Sequence, residues 1–249
     1  MLIIDLFLFG AIGATVWAVQ MLWIPITAAG IINGIGHYWG YRNYECEDAS
    51  TNILPWGILI GGEELHNNHH TYATSAKLSN KWYEFDIGWG YIRALEMMGL
   101  AKVKKTPPKP VLADVRQACE LTLQAVIANR YEVMSRYSKA LRKTLDHELT
   151  HMRELAGRFS GAHTWLQKDE SKLSSDEKAR LQDLMDQSKA VRLMIEMRRE
   201  LTALWGRSNV TKEQLIVQLQ DWCQRAEASG MQALQDFSLR LRRYTLKPA

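Results

Sequence analysis

Three histidines within five residues form the part of this sequence best suited to chemistry. They are His66, His69 and His70, in the order His-x-x-His-His. If this segment is helical, positions i, i+3 and i+4 lie on one face and the three imidazoles share it. Neutral imidazole is a ligand of iron, copper, zinc and nickel. The spacing therefore predicts a transition-metal site.

A second polar element precedes this cluster. Asn33 and His37 are four residues apart, so a helix would place them on one face. They follow a long apolar stretch, and polar groups at the boundary of a membrane are costly unless they have a partner. We therefore interpret Asn33 and His37 as functional residues that belong with the histidine cluster.

The apolar stretch runs from Leu6 to Ile32 without a charged residue. As a helix it would be about 40 Å long, enough to cross a hydrocarbon core of about 30 Å. A signal peptide fits poorly, because the start holds Asp5 and neither Lys nor Arg and the apolar run is too long. A buried core helix is the remaining alternative to the predicted transmembrane helix at about residues 6–32. Four lysines follow and favour a cytoplasmic location for residues 33–110: Lys102, Lys104, Lys105 and Lys109.

Four motifs resemble those of the membrane-bound fatty acid desaturases, specifically the delta-9 acyl-CoA or acyl-lipid type. Asn33–Gly40 resembles the family's N-x-x-x-H-x-x-G element, and Gly62–His70 resembles its third histidine box, G-E-x-x-H-N-x-H-H. Trp82–Asp86 and Gly99–Ala101 resemble the W-x-x-x-D and G-L-A that follow in the family. The resemblance covers about residues 6–106.

This resemblance implies two irons on the cytosolic face that use dioxygen and two electrons to remove two hydrogens from a long saturated acyl chain. The implied metal contacts are His37, His66, His69 and His70 as ligands and Asn33 through a water. Glu63 and Glu64 either accept hydrogen bonds from ligating histidines or have ordinary charge and solvation roles, and both interpretations stay open. Asp86 matches a family position that is not a ligand. The implied partners are a long-chain acyl substrate, a lipid membrane (a bacterial inner membrane) and an electron donor of ferredoxin, rubredoxin or cytochrome type. Hydroxylation would use the same ligands and stays open.

The family also has two earlier histidine boxes, whereas no histidine precedes His37 in this sequence. The resemblance is therefore to the C-terminal portion of a desaturase, with an incomplete di-iron site. We expect the chain to be a fragment that is inactive without an N-terminal half supplying the first two boxes.

Composition supports two unlike segments. The 249 residues are 47% hydrophobic and 23% charged, which excludes a disordered chain. Three separated cysteines without a C-x-x-C pair exclude a zinc ribbon and a thioredoxin-type redox site. Residues 1–110 have one net negative charge and residues 111–249 have five net positive charges, with a proline-rich run between them. We predict an all-α protein with a membrane desaturase domain over 1–110, its metal-ligand region at 33–86, and a basic, helical cytoplasmic region over 111–249.

The region after residue 110 has the pattern of long amphipathic helices, packed as a bundle or hairpin. Apolar residues recur every three or four positions at Cys119, Leu123, Val126, Val133, Tyr137, Leu141, Leu145, Leu149, Met152 and Ala156. Gly157 and Gly161 would end this run, and capping sequences at Ser174–Glu177 and Thr211–Gln214 predict the starts of two more helices. The basic end fits solvent or anionic lipid headgroups better than nucleic acid, and consists of Arg240, Arg242, Arg243 and Lys247. We interpret this tail and the first segment as one continuous protein.

Two alternatives remain. His147-Glu148-x-x-His151 matches the zinc peptidase motif HExxH, for which His163 or Glu170 could supply a third ligand. Its two histidines fall opposite the apolar stripe, however, whereas a catalytic zinc helix is buried. The other alternative is a membrane-anchored helical interaction or nucleic-acid-binding module. Such a module would bind no metal and would bind polyanions in a salt-sensitive manner.

Overall fold

The computed structural model describes residues 1–151, 162, 170–206 and 210–246. The chain divides into two compact units, Met1–Pro107 and Pro108–Ala249. Most described residues are helical and each strand has only two residues, consistent with an all-α fold class. Several residues that the sequence pattern singled out lie outside the described residues: Met152, Ala156, Gly157, Gly161, His163 and Lys247.

The first unit begins with two apolar helices, α1 (Leu2–Phe9) and α2 (Ile12–Ile24). Gly10 ends α1 with a φ of +61°, a backbone conformation that strains any residue with a Cβ. Gly13 allows the two helices to touch, because a Cβ there would lie 2.1 Å from the carbonyl oxygen of Asp5. The start of the chain is therefore two helices in contact.

Beyond α2 the backbone continues through a π-helical segment, Pro25–Gly34, and a 3₁₀ turn, Ile35–His37. By length and composition, Ile12–His37 is the one stretch of the described residues that could cross a membrane. Only 12% of its most apolar 18-residue stretch is buried, whereas the core helix of a soluble protein would be mostly buried. This candidate span begins later than the predicted Leu6–Ile32, because the helix break at Gly10 separates the first apolar residues from it. It also ends later, at His37.

Short pairings organise the histidine-bearing part of the first unit. The strands β1 (Trp56–Gly57) and β2 (Phe85–Asp86) pair in parallel, and Tyr41 and Asn52 form an isolated antiparallel bridge. The short helix α3 (His66–Thr71) lies between β1 and β2 in the sequence. The segment that bears the predicted histidine box is therefore fixed by contacts distant in sequence.

The helix α4 (Ile87–Met97) begins at Asp86, whose carboxylate accepts a hydrogen bond from the backbone N–H of Trp89 at 2.9 Å. This is a standard N-cap, since it satisfies a free donor in the first turn. The same carboxylate accepts from the backbone N–H of Leu78 at 2.6 Å and of Ser79 at 3.2 Å. The aspartate of the W-x-x-x-D motif therefore holds loop and helix together.

The second unit is built from helices around one apolar core. Its described helices are α5 (Glu120–Ala128), α6 (Arg130–His151), α7 (Ser175–Gln187), α8 (Lys189–Ala203), α9 (Lys212–Ala228) and α10 (Gln232–Leu241). A 3₁₀ turn spans Glu170–Lys172, and β3 (Val111–Leu112) pairs antiparallel with β4 (Tyr244–Thr245).

Several of the sequence signals for this unit are confirmed among the described residues, although Cys119 of the predicted stripe is only half-buried. Both capping boxes form, with the hydroxyls of Ser174 and Thr211 accepting from the N–H groups three residues later. The predicted apolar stripe is buried at Leu123, Val126, Val133, Tyr137, Leu141 and Leu145. The stripe is interrupted at Asn129, which separates α5 from α6 and donates its side-chain amide to the carbonyl of Ala125 at 2.8 Å.

Candidate metal centre

Three of the predicted ligands come together: His37, His66 and His70. One ligand atom from each lies within 4.8 Å of the others. The Nε2 atoms of His37 and His66 are 3.0 Å apart. The ring centroid of His70 is 4.2 Å from that of His66 and 5.2 Å from that of His37. Three imidazoles at these distances can share one transition-metal ion.

Two elements supply these rings. His37 ends the 3₁₀ turn that closes the candidate membrane span, and His66 and His70 lie four residues apart on α3. Gly36 is buried next to these rings: a Cβ at this position would be in ordinary van der Waals contact, 3.4 Å, with the Cδ2 atom of His66. The Asn33–Gly40 motif therefore packs directly against α3.

Asparagine side chains fix α3, which has only six residues and no side-chain N-cap. The buried Asn68 donates to the carbonyl of Leu78 at 2.9 Å and to Oε2 of Glu84 at 2.8 Å. Asn52 donates to Oδ1 of Asn68 at 3.2 Å and accepts from its backbone N–H at 3.1 Å. Because an isolated helix this short is unstable, these buried hydrogen bonds set the orientation of the histidines.

The other two predicted contacts lie outside the three-histidine group. The ring centroid of His69 is 6.2 Å from that of His66 and 5.7 Å from that of His70. Asn33 lies in the π-helical segment and is exposed. The structure thus brings together three of the five residues that the resemblance implied.

The two acids before α3 differ in their surroundings. The Oε2 atom of Glu63 is 3.9 Å from Nδ1 of His66, and its interaction with His66 holds the pKa of Glu63 below its usual range although burial opposes this. Glu64 is 3% exposed, and its Oε1 accepts from the backbone N–H groups of Leu59 at 2.6 Å and Ile60 at 3.1 Å. Glu63 is therefore placed near a histidine, whereas Glu64 stabilises the preceding loop.

Sequence reasoning missed a third acid, Asp48. Its carboxylate contacts Nδ1 of His70. Burial raises the pKa of the Asp48 carboxyl, but hydrogen bonds from Ser50, His70 and Cys46 together hold this pKa below its ordinary value. Asp48 lies in a loop distant in sequence from His70, so no local spacing rule could indicate the contact.

The HExxH motif lies on α6 of the second unit. The side chain of His147 is 71% exposed, as the face opposite the apolar stripe requires. Glu148 accepts a hydrogen bond from the hydroxyl of Ser188 at 2.6 Å. The side chain of His151 is outside the described part of the chain. Among the residues that the structure describes, His37, His66 and His70 form the one group of three or more His, Cys, Asp or Glu placed to hold a metal.

A known protein family matches most of the second unit. A family model described as Transposase matches residues 115–247, just over half of the chain. The chain belongs to this transposase family. The sequence pattern predicted a helical tail behind a desaturase-like region and did not indicate this relationship, because helical periodicity and a basic end are common to many unrelated helical regions.

Curated relatives, in contrast, are desaturases. The chain is 42% identical over 79 residues to an sn-2 palmitoyl-lipid 9-desaturase of Nostoc sp.. The matched region covers 31% of this chain and 28% of that protein. The chain is 40% identical over 83 residues to an sn-1 stearoyl-lipid 9-desaturase of Synechocystis sp., covering 33% and 26%. It is 36% identical over 104 residues to an acyl-CoA 5-desaturase of Anemone leveillei, covering 41% and 32%.

These matches establish that this transposase-family chain is also related to acyl-lipid and acyl-CoA desaturases. The names of these relatives specify different bond positions, 9 and 5, so the relationship is to desaturases in general. The chain spans about a quarter to a third of the length of these relatives. No solved structure matches the chain.

Proposed function

We propose that residues 1–107 are the histidine-bearing part of a membrane fatty acid desaturase. The observation that supports this most strongly is the convergence of His37, His66 and His70, which belong to two of the motifs that resemble the desaturase family. The relationship to curated acyl-lipid and acyl-CoA desaturases supports the same function.

The residues present fit iron. Imidazole nitrogens suit this metal and leave coordination positions open for dioxygen. His66 is 3% exposed, and its Nε2 lies 3.0 Å from that of His37, a distance at which one ring can donate a hydrogen bond to the other or both nitrogens can bind one metal ion. We propose His37, His66, His69 and His70 as ligands, with Asn33 in contact through a water. When bound, the iron supplies the oxygen activation needed to remove hydrogen from an unactivated methylene group, which no side chain can do.

The chain's own residues hold and orient the metal. The asparagine network around α3 fixes the rings of His66 and His70, and the proposed membrane span ends at His37. The proposed substrate is a long-chain saturated acyl group, which reaches the site from the bilayer. The proposed electron donor is a ferredoxin, rubredoxin or cytochrome. We place the site on the cytoplasmic side of a bacterial inner membrane, since exposed lysines follow α4.

The four histidines and one asparagine proposed as metal contacts are too few for two irons. The two earlier histidine boxes of the desaturase family would supply the remaining ligands. We therefore propose that this chain lacks desaturase activity by itself and becomes active with a segment that contributes those boxes.

Co-expression with a desaturase fragment containing the two earlier boxes tests this function. Cells fed deuterated stearate are expected to form a deuterated unsaturated acid only when both parts are present, as measured by mass spectrometry of the lipids. The same pair with His147→Ala, a control outside the site, should keep the product. Desaturation by the chain without a partner would refute the requirement for more ligands. Iron binding without any product from the pair would refute desaturation.

The second unit favours a different candidate function. Its membership of the transposase family and the net positive charge of residues 111–249 favour the helical interaction or nucleic-acid-binding module among the alternatives raised by the sequence. A nucleic-acid-binding role predicts salt-sensitive binding of polyanions, which a purely structural role does not predict. The zinc peptidase receives no such support, since His147 is exposed and Glu148 binds Ser188.

A further inference from the structure

We propose that Asp48 is a positioning residue for the metal centre: it holds His70 through Nδ1 and leaves Nε2 as the nitrogen that binds the metal. This inference rests on the proposed metal centre. Neither the desaturase-like motifs nor the histidine spacing includes Asp48.

The two carboxylate oxygens of Asp48 have separate contacts. Oδ2 contacts Nδ1 of His70. Oδ1 accepts from the backbone N–H of Ser50 at 2.9 Å and lies 3.3 Å from the thiol of Cys46. Because Oδ1 is anchored within its own loop, Oδ2 is held in one direction, toward His70.

The loop that bears Asp48 is itself fixed by Arg42. One guanidinium nitrogen of Arg42 donates to the carbonyls of Asp48 at 3.0 Å and Ser50 at 2.9 Å. The other donates to the carbonyl of Cys46 at 3.4 Å. Three carbonyls of one short loop are thus gathered around a single cation, which restricts the position of the carboxylate.

The same loop is bonded directly to the helix that bears the histidines. Oδ1 of Asn67, on α3, accepts from the backbone N–H groups of Asn43 at 2.9 Å and Tyr44 at 3.0 Å. Its Nδ2 donates to the carbonyl of Tyr44 at 3.0 Å and lies 3.3 Å from the thiol of Cys46. Loop and helix therefore form one framework, and the contact between Asp48 and His70 does not depend on a flexible side chain alone.

The chemistry of metal-bound imidazole gives this contact its role. A ligating histidine uses one ring nitrogen for the metal and donates the N–H of the other to a carboxylate, carbonyl or water. Such a partner fixes the tautomer and the ring orientation, and it makes the ligating nitrogen more basic. His66 differs, because its Nδ1 is buried without a hydrogen bond and Glu63 is 3.9 Å away. His70 is the histidine of the group with a carboxylate in contact.

The test compares the whole chain with Asp48→Asn in lipid nanodiscs. Asparagine keeps the size of the side chain and an oxygen for Ser50, but it replaces the anionic acceptor for His70. In ¹⁵N-histidine spectra recorded without metal, neutral His70 is expected to be protonated at Nδ1 in the wild type and to shift toward Nε2–H in Asp48→Asn. In titrations with Co²⁺, the variant is expected to bind about 10–100-fold more weakly.

Glu47→Gln is the matched control, since Glu47 is an exposed acid of the same loop, adjacent to Asp48 in the sequence. It should leave both the His70 tautomer and the Co²⁺ affinity unchanged. An Nε2–H tautomer in the wild type, or wild-type tautomer and affinity in Asp48→Asn, would overturn the proposal. If the wild type bound no Co²⁺, the proposed metal centre would fail, while the tautomer of His70 would still decide whether Asp48 positions the ring.

Discussion

Replacing His66 with alanine is expected to remove Co²⁺ or Fe²⁺ binding by the chain almost completely. His66 is buried and central, since its ring lies within 5 Å of the rings of both His37 and His70. Loss of a direct ligand should exceed the roughly 10–100-fold effect of losing an outer hydrogen-bond partner. The measurement is a titration followed by the visible absorption of bound Co²⁺.

Two variants make this result interpretable. His37→Ala removes a ligand from a different element and is expected to cause a similar loss, so that local unfolding of α3 cannot explain both. His147→Ala removes an exposed histidine of the second unit and should leave the affinity unchanged. Equal Co²⁺ affinity in the wild type, His66→Ala and His37→Ala would contradict the assignment of these ligands.

Replacing Trp222 with alanine is expected to lower the free energy of unfolding of the second unit by about 3–5 kcal/mol. Trp222 is 1% exposed, and its indole N–H donates to the carbonyl of Met197 at 2.8 Å. Its ring packs against those of Phe237 and Tyr137, with centroid distances of 5.8 and 6.3 Å. The substitution therefore creates a cavity and also removes a buried hydrogen bond.

Urea unfolding of the whole chain, followed by far-ultraviolet circular dichroism, measures this effect. The control is Val217→Ala on the same helix, where the side chain is 62% exposed and the expected change is within about 0.5 kcal/mol. A Trp222→Ala transition that coincides with the wild-type transition would show that this core does not stabilise the second unit.

The sequence predicted those features of the fold that depend on local chemistry. The capping boxes at Ser174 and Thr211 require only residues three positions apart, and both form. The buried stripe of α6 follows directly from helical periodicity. The helix break at Gly10 was not predicted, because a hydropathy pattern depends on the polarity of side chains and contains no information about the backbone conformation of one glycine.

The histidine site was predicted in part for a similar reason. The spacing indicated that His66 and His70 share a face, and the motif resemblance joined them with His37. The spacing also placed His69 on that face, but α3 is too short to set its own orientation, and contacts from Asn52 and Glu84 determine it. The contact between Asp48 and His70 depends on the path of an irregular loop, which no periodic pattern describes.

The most direct test of the proposed metal centre is iron K-edge X-ray absorption on the whole chain, purified in nanodiscs and loaded anaerobically with Fe²⁺. If His37, His66 and His70 hold the metal, the spectrum will contain the multiple-scattering signature of about three imidazoles per bound iron, and His66→Ala will lose it. A spectrum with only oxygen ligands and no imidazole scattering would contradict the account.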